Sequence, residues 1–398
     1  MSASVSLAIL GGAPLFERPV EIGQRYFPAW AEYEGMFRDI FERQYYTNHG
    51  PLTQELERRL TERLGVKHAI CVTNEFIGLV LAGQALGVRG NVVAPAHAFV
   101  GTVQSLAWTD ARPLLCDVDR ETGMMTADLV SPLLSSHAVA AILAVNPWGD
   151  ACDVSGLQAL AERHGIPLYL DSSHGFGCAV AGEPMGTFGA IEVISLHSDN
   201  VLGAGEGGVV CTQSDELSAH IRNTRSSYGM GRAVSVSKTG NGRMSEAQAA
   251  VALFNLDHYA EYQQRNARLF GMFEAGLANI SGLEVRVPTG VSQSNYQNLI
   301  LLVDEEVLGL RRDDLWKILR AENLLAGRGY YPSPGHPAIA SYASKSRNLP
   351  NSEFYCARTI ELPMNQALTE LDVARVIDLL AAIQCNGGTI RRKIAELM

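Results

Sequence analysis

From residue 50 to about 250, short apolar runs alternate with stretches of helical periodicity. The runs at 69–72, 91–94, 113–118, 139–145, 167–171, 193–195 and 208–211 are bounded by glycine, proline or polar residues, and each is predicted to be a strand. The stretches at 77–86 and 155–164 predict helices. Strands separated by segments of crossover length imply a largely parallel sheet covered by helices on both faces, which places the chain in the α/β class. After about residue 245 the pattern changes. A long helical stretch, 245–277, leads into a smaller α+β lobe with strands near 283–287 and 297–303, closed by a helical pattern at 369–384. The expected division is a large domain, 1–250, whose first 30 residues form an arm, and a small domain, 251–398.

The 398 residues are 47% apolar and 19% charged, ordinary for a globular enzyme, and the net charge is −10. That balance argues against affinity for nucleic acid or anionic membrane. Seven cysteines are scattered singly with no CxxC pair, so reduced, mostly buried thiols and a cytoplasmic location are expected. No metal-ligand spacing is visible, and no metal is expected. The apolar run Val5 to Leu10 has no basic residue before it, so no secretory signal is expected, and no run is long enough to span a bilayer.

In parallel sheets, chemistry collects at strand ends and helix N-termini. Asp171, Ser195 and the turn Thr73-Asn74-Glu75-Phe76 fall at such places. Ser172 and Ser173 invite a hydrolase reading, but no G-x-S-x-G elbow is present. The glycine-rich stretch 203–208 lacks nucleotide-loop spacing and reads as a tight turn. Cys178 reads as a packed thiol.

Several segments together carry a resemblance. They are Gly11-Gly12-Ala13-Pro14-Leu15-Phe16, Thr47-Asn48-His49-Gly50-Pro51, Pro95 through Thr102, Leu170-Asp171-Ser172-Ser173-His174-Gly175, Ser195 through Gly208, Gly240 through Glu246, and Leu362-Pro363-Met364. In this order they resemble the DegT/StrS-type sugar aminotransferases, fold type I enzymes that use pyridoxal phosphate. The resemblance covers nearly the whole chain and implies a homodimer with shared active sites. It implies that Phe99 stacks on the coenzyme ring, Asp171 faces the pyridine nitrogen, His174 lies beside a coenzyme oxygen and Ser195 bonds the phosphate. Asn241 would reach into the partner's site. Arg328, Tyr330, Tyr331 and His336 would lie near the substrate mouth, the alternative being an exposed loop with no ligand.

Two places depart from the family pattern, Asn200 and the turn Thr73-Asn74-Glu75-Phe76. Asn200 stands where the family carries the lysine that forms the Schiff base, and an amide has no basic lone pair for that bond or for shuttling a proton. Glu75 stands in the turn that opens a helix, a natural phosphate seat. It would repel the phosphate or cap the helix itself. Phe76 adds bulk where the family has threonine. Of the five lysines (67, 238, 317, 345 and 393), Lys238 alone lies in a loop expected at the partner's site, and a solvated loop lysine is the favoured reading.

The cofactor is therefore open. The leading reading is none, with acid/base work by His197, Asp171, His174 and Glu75, and with Asn200, Arg328, Tyr330 and Tyr331 toward the substrate. His197 and His174 have supporting roles as alternatives, and Asp171 is equally readable as a cap for buried N–H groups. One alternative is noncovalent pyridoxal or pyridoxamine phosphate, as in dehydrating relatives. The other is an inert paralogue that binds a ligand or pairs with an active partner.

Overall fold

The computed structural model describes residues 7–227, 231–330 and 348–397, with side chains as far as Lys393. At its centre is a seven-stranded sheet. In spatial order the strands are His68–Val72, Gly208–Thr212, Ile191–Ser195, Leu168–Asp171, Val139–Val145, Gly90–Pro95 and Ala111–Cys116. Only Gly208–Thr212 is reversed, lying antiparallel to both its neighbours, so the other strands all point the same way. Both faces are covered: Ile142, Ala144 and Leu170 join one apolar cluster and Ala141, Leu143 and Tyr169 another. This is why the strands read as continuous apolar runs rather than alternating ones.

The helix Glu246–Leu277 joins the two lobes. Ser245 and Gln248 form a capping box at its start. Its first half packs Ala249, Ala252 and Leu256 into the large core. Its second half packs Leu269, Phe270 and Phe273 into the small one. The small lobe is an antiparallel sheet of Leu283–Val285, Leu299–Val303, Thr359–Leu362 and Gly327–Arg328. Residues before Trp30 divide differently from a cut at 250. Leu7 and Phe16 belong to the small-lobe core, and Val20–Glu21 pairs in parallel with Leu324–Leu325.

A buried ionic cluster braces the large lobe beneath the first strand. The Glu57 carboxylate accepts from the Cys71 N–H at 2.9 Å and contacts His49 at 2.9 Å, Arg222 at 2.8 Å and Arg225 at 3.1 Å. Burial opposes this charge. The His49 hydrogen bond and the two arginine charges outweigh it and hold the carboxyl down to about 2. Arg225 continues the chain of contacts: its carbonyl accepts from Gly242 N–H, and the Gly242 carbonyl accepts from Thr73 N–H. The cluster thus fixes the turn at 73–76 from below.

Among the described residues, no helix is long and apolar enough to cross a membrane, and no group of His, Cys, Asp or Glu is placed to hold a metal ion.

Candidate active site

The ends of the parallel strands open into one cleft of about 510 Å³, closed on the far side by the small lobe. The turn at 73–76 forms its floor. The Asn74 backbone is extended and its side-chain oxygen accepts from the Ile77 N–H at 2.9 Å, so Asn74 is the cap of the helix Glu75–Ala85. The helix therefore starts two residues before the expected 77. Glu75 does not cap it, contrary to one sequence expectation, because Asn74 already fills that role. Gly208 presses against this turn: a Cβ there would meet Asn74 C and Glu75 N at 2.8 Å.

Released from capping, Glu75 lines the cleft beside Asp171 and the Ser173 hydroxyl. Its Oε1 is buried and has no hydrogen-bond partner. Burial and then the Asp171 charge push its carboxyl well above the usual range, with Ser173 opposing. Asp171 is buried at the end of its strand. Its oxygens accept from the Thr102 hydroxyl and from the N–H and hydroxyl of Ser173. Burial raises its carboxyl against these donors. Burial thus disfavours charge on both members of the pair.

His174 accepts from Trp148 N–H at 2.9 Å through Nδ1, and burial brings its pKa down to about 4. It is a neutral imidazole with its proton on Nε2, a donor on the cleft wall. Trp148 adopts φ 58° to make this contact, and its ring stacks on Tyr330 at 5.4 Å. His197 stands at the rim, its Nδ1 3.6 Å from Asp199 and its Nε2 3.8 Å from Glu206. Phe99 is exposed, edge-on to Tyr330 at 6.4 Å.

Asn200 is buried, and its amide is engaged on both sides. Its Oδ1 accepts from Gln297 Nε2 at 2.8 Å and its Nδ2 donates to the Ser195 carbonyl at 3.4 Å. It ties the loop after Ile191–Ser195 to the small lobe. The Ser195 hydroxyl accepts from the His197 N–H.

The structure thus brings Glu75, Phe99, Asp171, His174, Ser195, His197, Asn200 and Tyr330 around one cleft. Other residues singled out from the sequence lie outside this cleft of the single chain. Arg328 turns away, its guanidinium over the Trp316 ring at 4.6 Å. Asn241 is exposed, bridged to Ser226 in its own chain. Lys238 pairs with Asp110 at 2.8 Å on the surface, and Lys67 with Asp215. Tyr331 and His336 lie outside the described residues. The Ser172 hydroxyl is spent on Glu192 and Asn146, and Cys178 is buried.

Sequence reasoning missed Glu361, Asn298 and Gln297. Glu361 lies against the cleft, where Asn298 Nδ2 donates to it at 2.7 Å. Burial raises its carboxyl to about 7, with Asn298 opposing and the Asp199 charge adding. A signal existed for this one: Glu361 immediately precedes the Leu362-Pro363-Met364 motif. No Lys or Arg lines the cleft among the described residues, whereas Glu75, Asp171, Asp199, Glu206 and Glu361 all do.

A mostly parallel sheet, a lobe-joining helix and a cleft between the lobes define a fold type I aminotransferase-like protein. The chain belongs to the DegT/DnrJ/EryC1/StrS aminotransferase family, whose model matches residues 30–381. It is 27% identical over 371 residues to the dTDP-4-amino-4,6-dideoxy-D-glucose transaminase of Shigella dysenteriae, covering 92% of this chain and all of that one. It superposes on DesI, solved in the presence of its TDP-sugar product, with a TM-score of 0.90. Sequence identity there is 31%, covering 98% of this chain and 99% of that one. The aminotransferase TlmJ of Streptoalloteichus hindustanus gives a TM-score of 0.82 at 26% identity, covering 92% and 99%.

Proposed function

We propose that this chain is an enzyme of small-molecule biosynthesis, of the amino-sugar or secondary-metabolite type, whose aminotransferase cleft works without pyridoxal phosphate. That coenzyme needs an amine for its aldehyde and a seat for its phosphate. No lysine lines this cleft among the described residues, and the Asn200 amide is committed to Gln297 and Ser195. The buried Glu75 carboxyl lies at the helix start, beside Asp171. The residues present do not fit the group, and the position of Glu75 is the observation that carries the reading.

What remains is an acid/base cleft. Glu75 and Asp171 are neighbouring carboxyls that burial pushes above the usual range, as a proton donor and acceptor at the cleft require. His174 offers an N–H, and His197 reaches the rim. Such a set serves transfer, condensation or elimination on a polar metabolite. A noncovalent pyridoxal or pyridoxamine phosphate is the second reading, favoured by the grouping of Phe99, Asp171 and Ser195 around one cleft. A homodimer is part of the proposal, supported by the exposed Trp30, Phe41 and Trp108, large apolar side chains that a monomer leaves in water.

The activity is tested with pyridoxal phosphate and a mixture of the common amino acids as donors. Purified protein is expected to form no 2-oxo acid above the coenzyme-only background. Formation of one equivalent of 2-oxo acid per chain, with matching conversion of pyridoxal to pyridoxamine phosphate, sinks the proposal.

A further inference from the structure

The sheet carries a buried carboxyl that the cleft chemistry does not use. Glu192 lies within the strand Ile191–Ser195, between Leu170 and Cys211 of the neighbouring strands, and is wholly buried. Its contacts run in one line toward the cleft. Oε2 accepts from the N–H groups of Gly186 at 2.6 Å and Phe188 at 3.0 Å, and Oε1 accepts from the Ser172 hydroxyl. The Ser172 oxygen accepts in turn from Asn146 Nδ2 at 2.9 Å, and Asn146 Oδ1 accepts from the Cys152 N–H at 2.9 Å. Ser172 and Asn146 are buried too, and Asn146 lines the cleft.

The direction of every bond in this line is forced from its two ends, because a backbone N–H can only donate. Cys152 claims the oxygen of the Asn146 amide, which turns Nδ2 to Ser172. The Ser172 oxygen must therefore accept, and its proton goes to Glu192. At the far end Gly186 and Phe188 occupy Oε2. A proton on Oε1 would face the Ser172 proton, and a Ser172 hydroxyl turned the other way would meet the Asn146 N–H. The line is complete only with Glu192 ionised. Burial opposes that charge and raises the carboxyl to about 7, with Ser172, Phe188 and Gly186 opposing. No charged side chain beside it offsets the effect. The thiols of Cys152, Cys178 and Cys211 sense its charge but are themselves raised by burial, and Asp171, next to Ser172, bonds to Thr102 and Ser173 instead.

Asn146 Nδ2 carries two N–H groups, and one is used on Ser172. The other has no partner among the described residues and is left for an acceptor in the cleft. We propose that Glu192, behind the cleft wall, is a positioning residue: acting through the Ser172 hydroxyl, it fixes the carboxamide of Asn146 and with it the N–H which that wall offers a ligand. The inference uses only contacts within the chain and is independent of the coenzyme question.

The test is nuclear magnetic resonance of protein whose asparagines carry nitrogen-15, following the side-chain amide of Asn146 between pH 5 and pH 9. The signal is identified by its absence from Asn146→Asp. In the wild type its two proton resonances should move along one titration curve with a midpoint near pH 7. They should stay still in Glu192→Gln, where an amide that does not titrate replaces the carboxyl, and in Ser172→Ala, which cuts the line. Asn266, a buried amide bonded to Gln24, is the internal control and should not move in any of them. If Glu192→Gln fails to fold, the wild type and Ser172→Ala still decide. Asn146 resonances that ignore pH in the wild type, or that keep titrating in either variant, would overturn the inference.

Discussion

Protein carrying both Glu75→Gly and Phe76→Thr binds pyridoxal phosphate about a hundredfold more tightly than the wild type, as read by absorbance titration. The expectation follows from the turn. Asn74 caps the helix Glu75–Ala85, which sends the Glu75 side chain into the cleft beside Asp171. Two like charges about 5 Å apart at an effective dielectric near 20 repel by roughly 3 kcal/mol, which is somewhat over a hundredfold in binding. The protein can relieve part of that repulsion by keeping the proton on Glu75, so the smaller figure is expected. Phe76 packs edge-on to Trp108 at 6.4 Å and narrows the same floor, and threonine in its place restores a hydroxyl. Glycine at the first helical position costs about 1 kcal/mol of helix stability, which the cap at Asn74 largely contains. An unchanged affinity would remove the case that these two side chains exclude the coenzyme.

The second large effect is on stability. Glu57→Ala should lower the unfolding free energy by about 3–5 kcal/mol, measured by urea denaturation at pH 7. The loss exceeds that of an exposed ion pair because Arg225 is only 1% exposed and its Nε and Nη2 already lack partners. Removing Glu57 leaves that guanidinium buried on the Cys71 carbonyl alone. The same carboxyl sets an acid limit. Its folded pKa, about 2, lies below the 4.5 of an ordinary glutamate, so the folded state binds its proton less readily than the unfolded chain does. Its contribution is fully present above pH 4.5 and is lost as the pH falls toward 2. The alanine variant should therefore lose less stability than the wild type across that window. Because Arg225 leads through Gly242 to Thr73, the variant should also loosen the turn that aims Glu75.

The large sheet was legible because strands buried on both faces leave unbroken apolar runs. The strand Val139–Val145 falls where the sequence places it, and Leu168–Asp171 differs from expectation only at Pro167, which has no N–H for the ladder. The last helix was legible only in part. It runs Glu370–Leu397, well past the expected 384, although Gly387 and Gly388 look like a stop signal. A Cβ on Gly387 would lie 2.1 Å from the Leu308 carbonyl, so the glycine there serves close packing rather than termination. At the site, the residues on the sheet side were found because they sit at strand ends within compact motifs. Glu361, Asn298 and Gln297 were not, since they come from small-lobe segments that are distant in sequence and meet the cleft only through folding. Arg328 shows the converse error of position: its neighbour Tyr330 faces the cleft, but its own side chain is drawn onto Trp316. The partner chosen for Asn200 was also hidden, because nothing local announces that Gln297 will fill the reach of its amide.

The most direct measurement is the amount of pyridoxal phosphate that stays with the wild-type protein through gel filtration, after incubation with an excess of coenzyme. If the cleft offers neither an amine tether nor a free anion seat, as its lining among the described residues implies, the protein fraction should emerge without visible absorbance and with far less than one coenzyme per chain. One coenzyme per chain, retained and held at the turn 73–76, would contradict this.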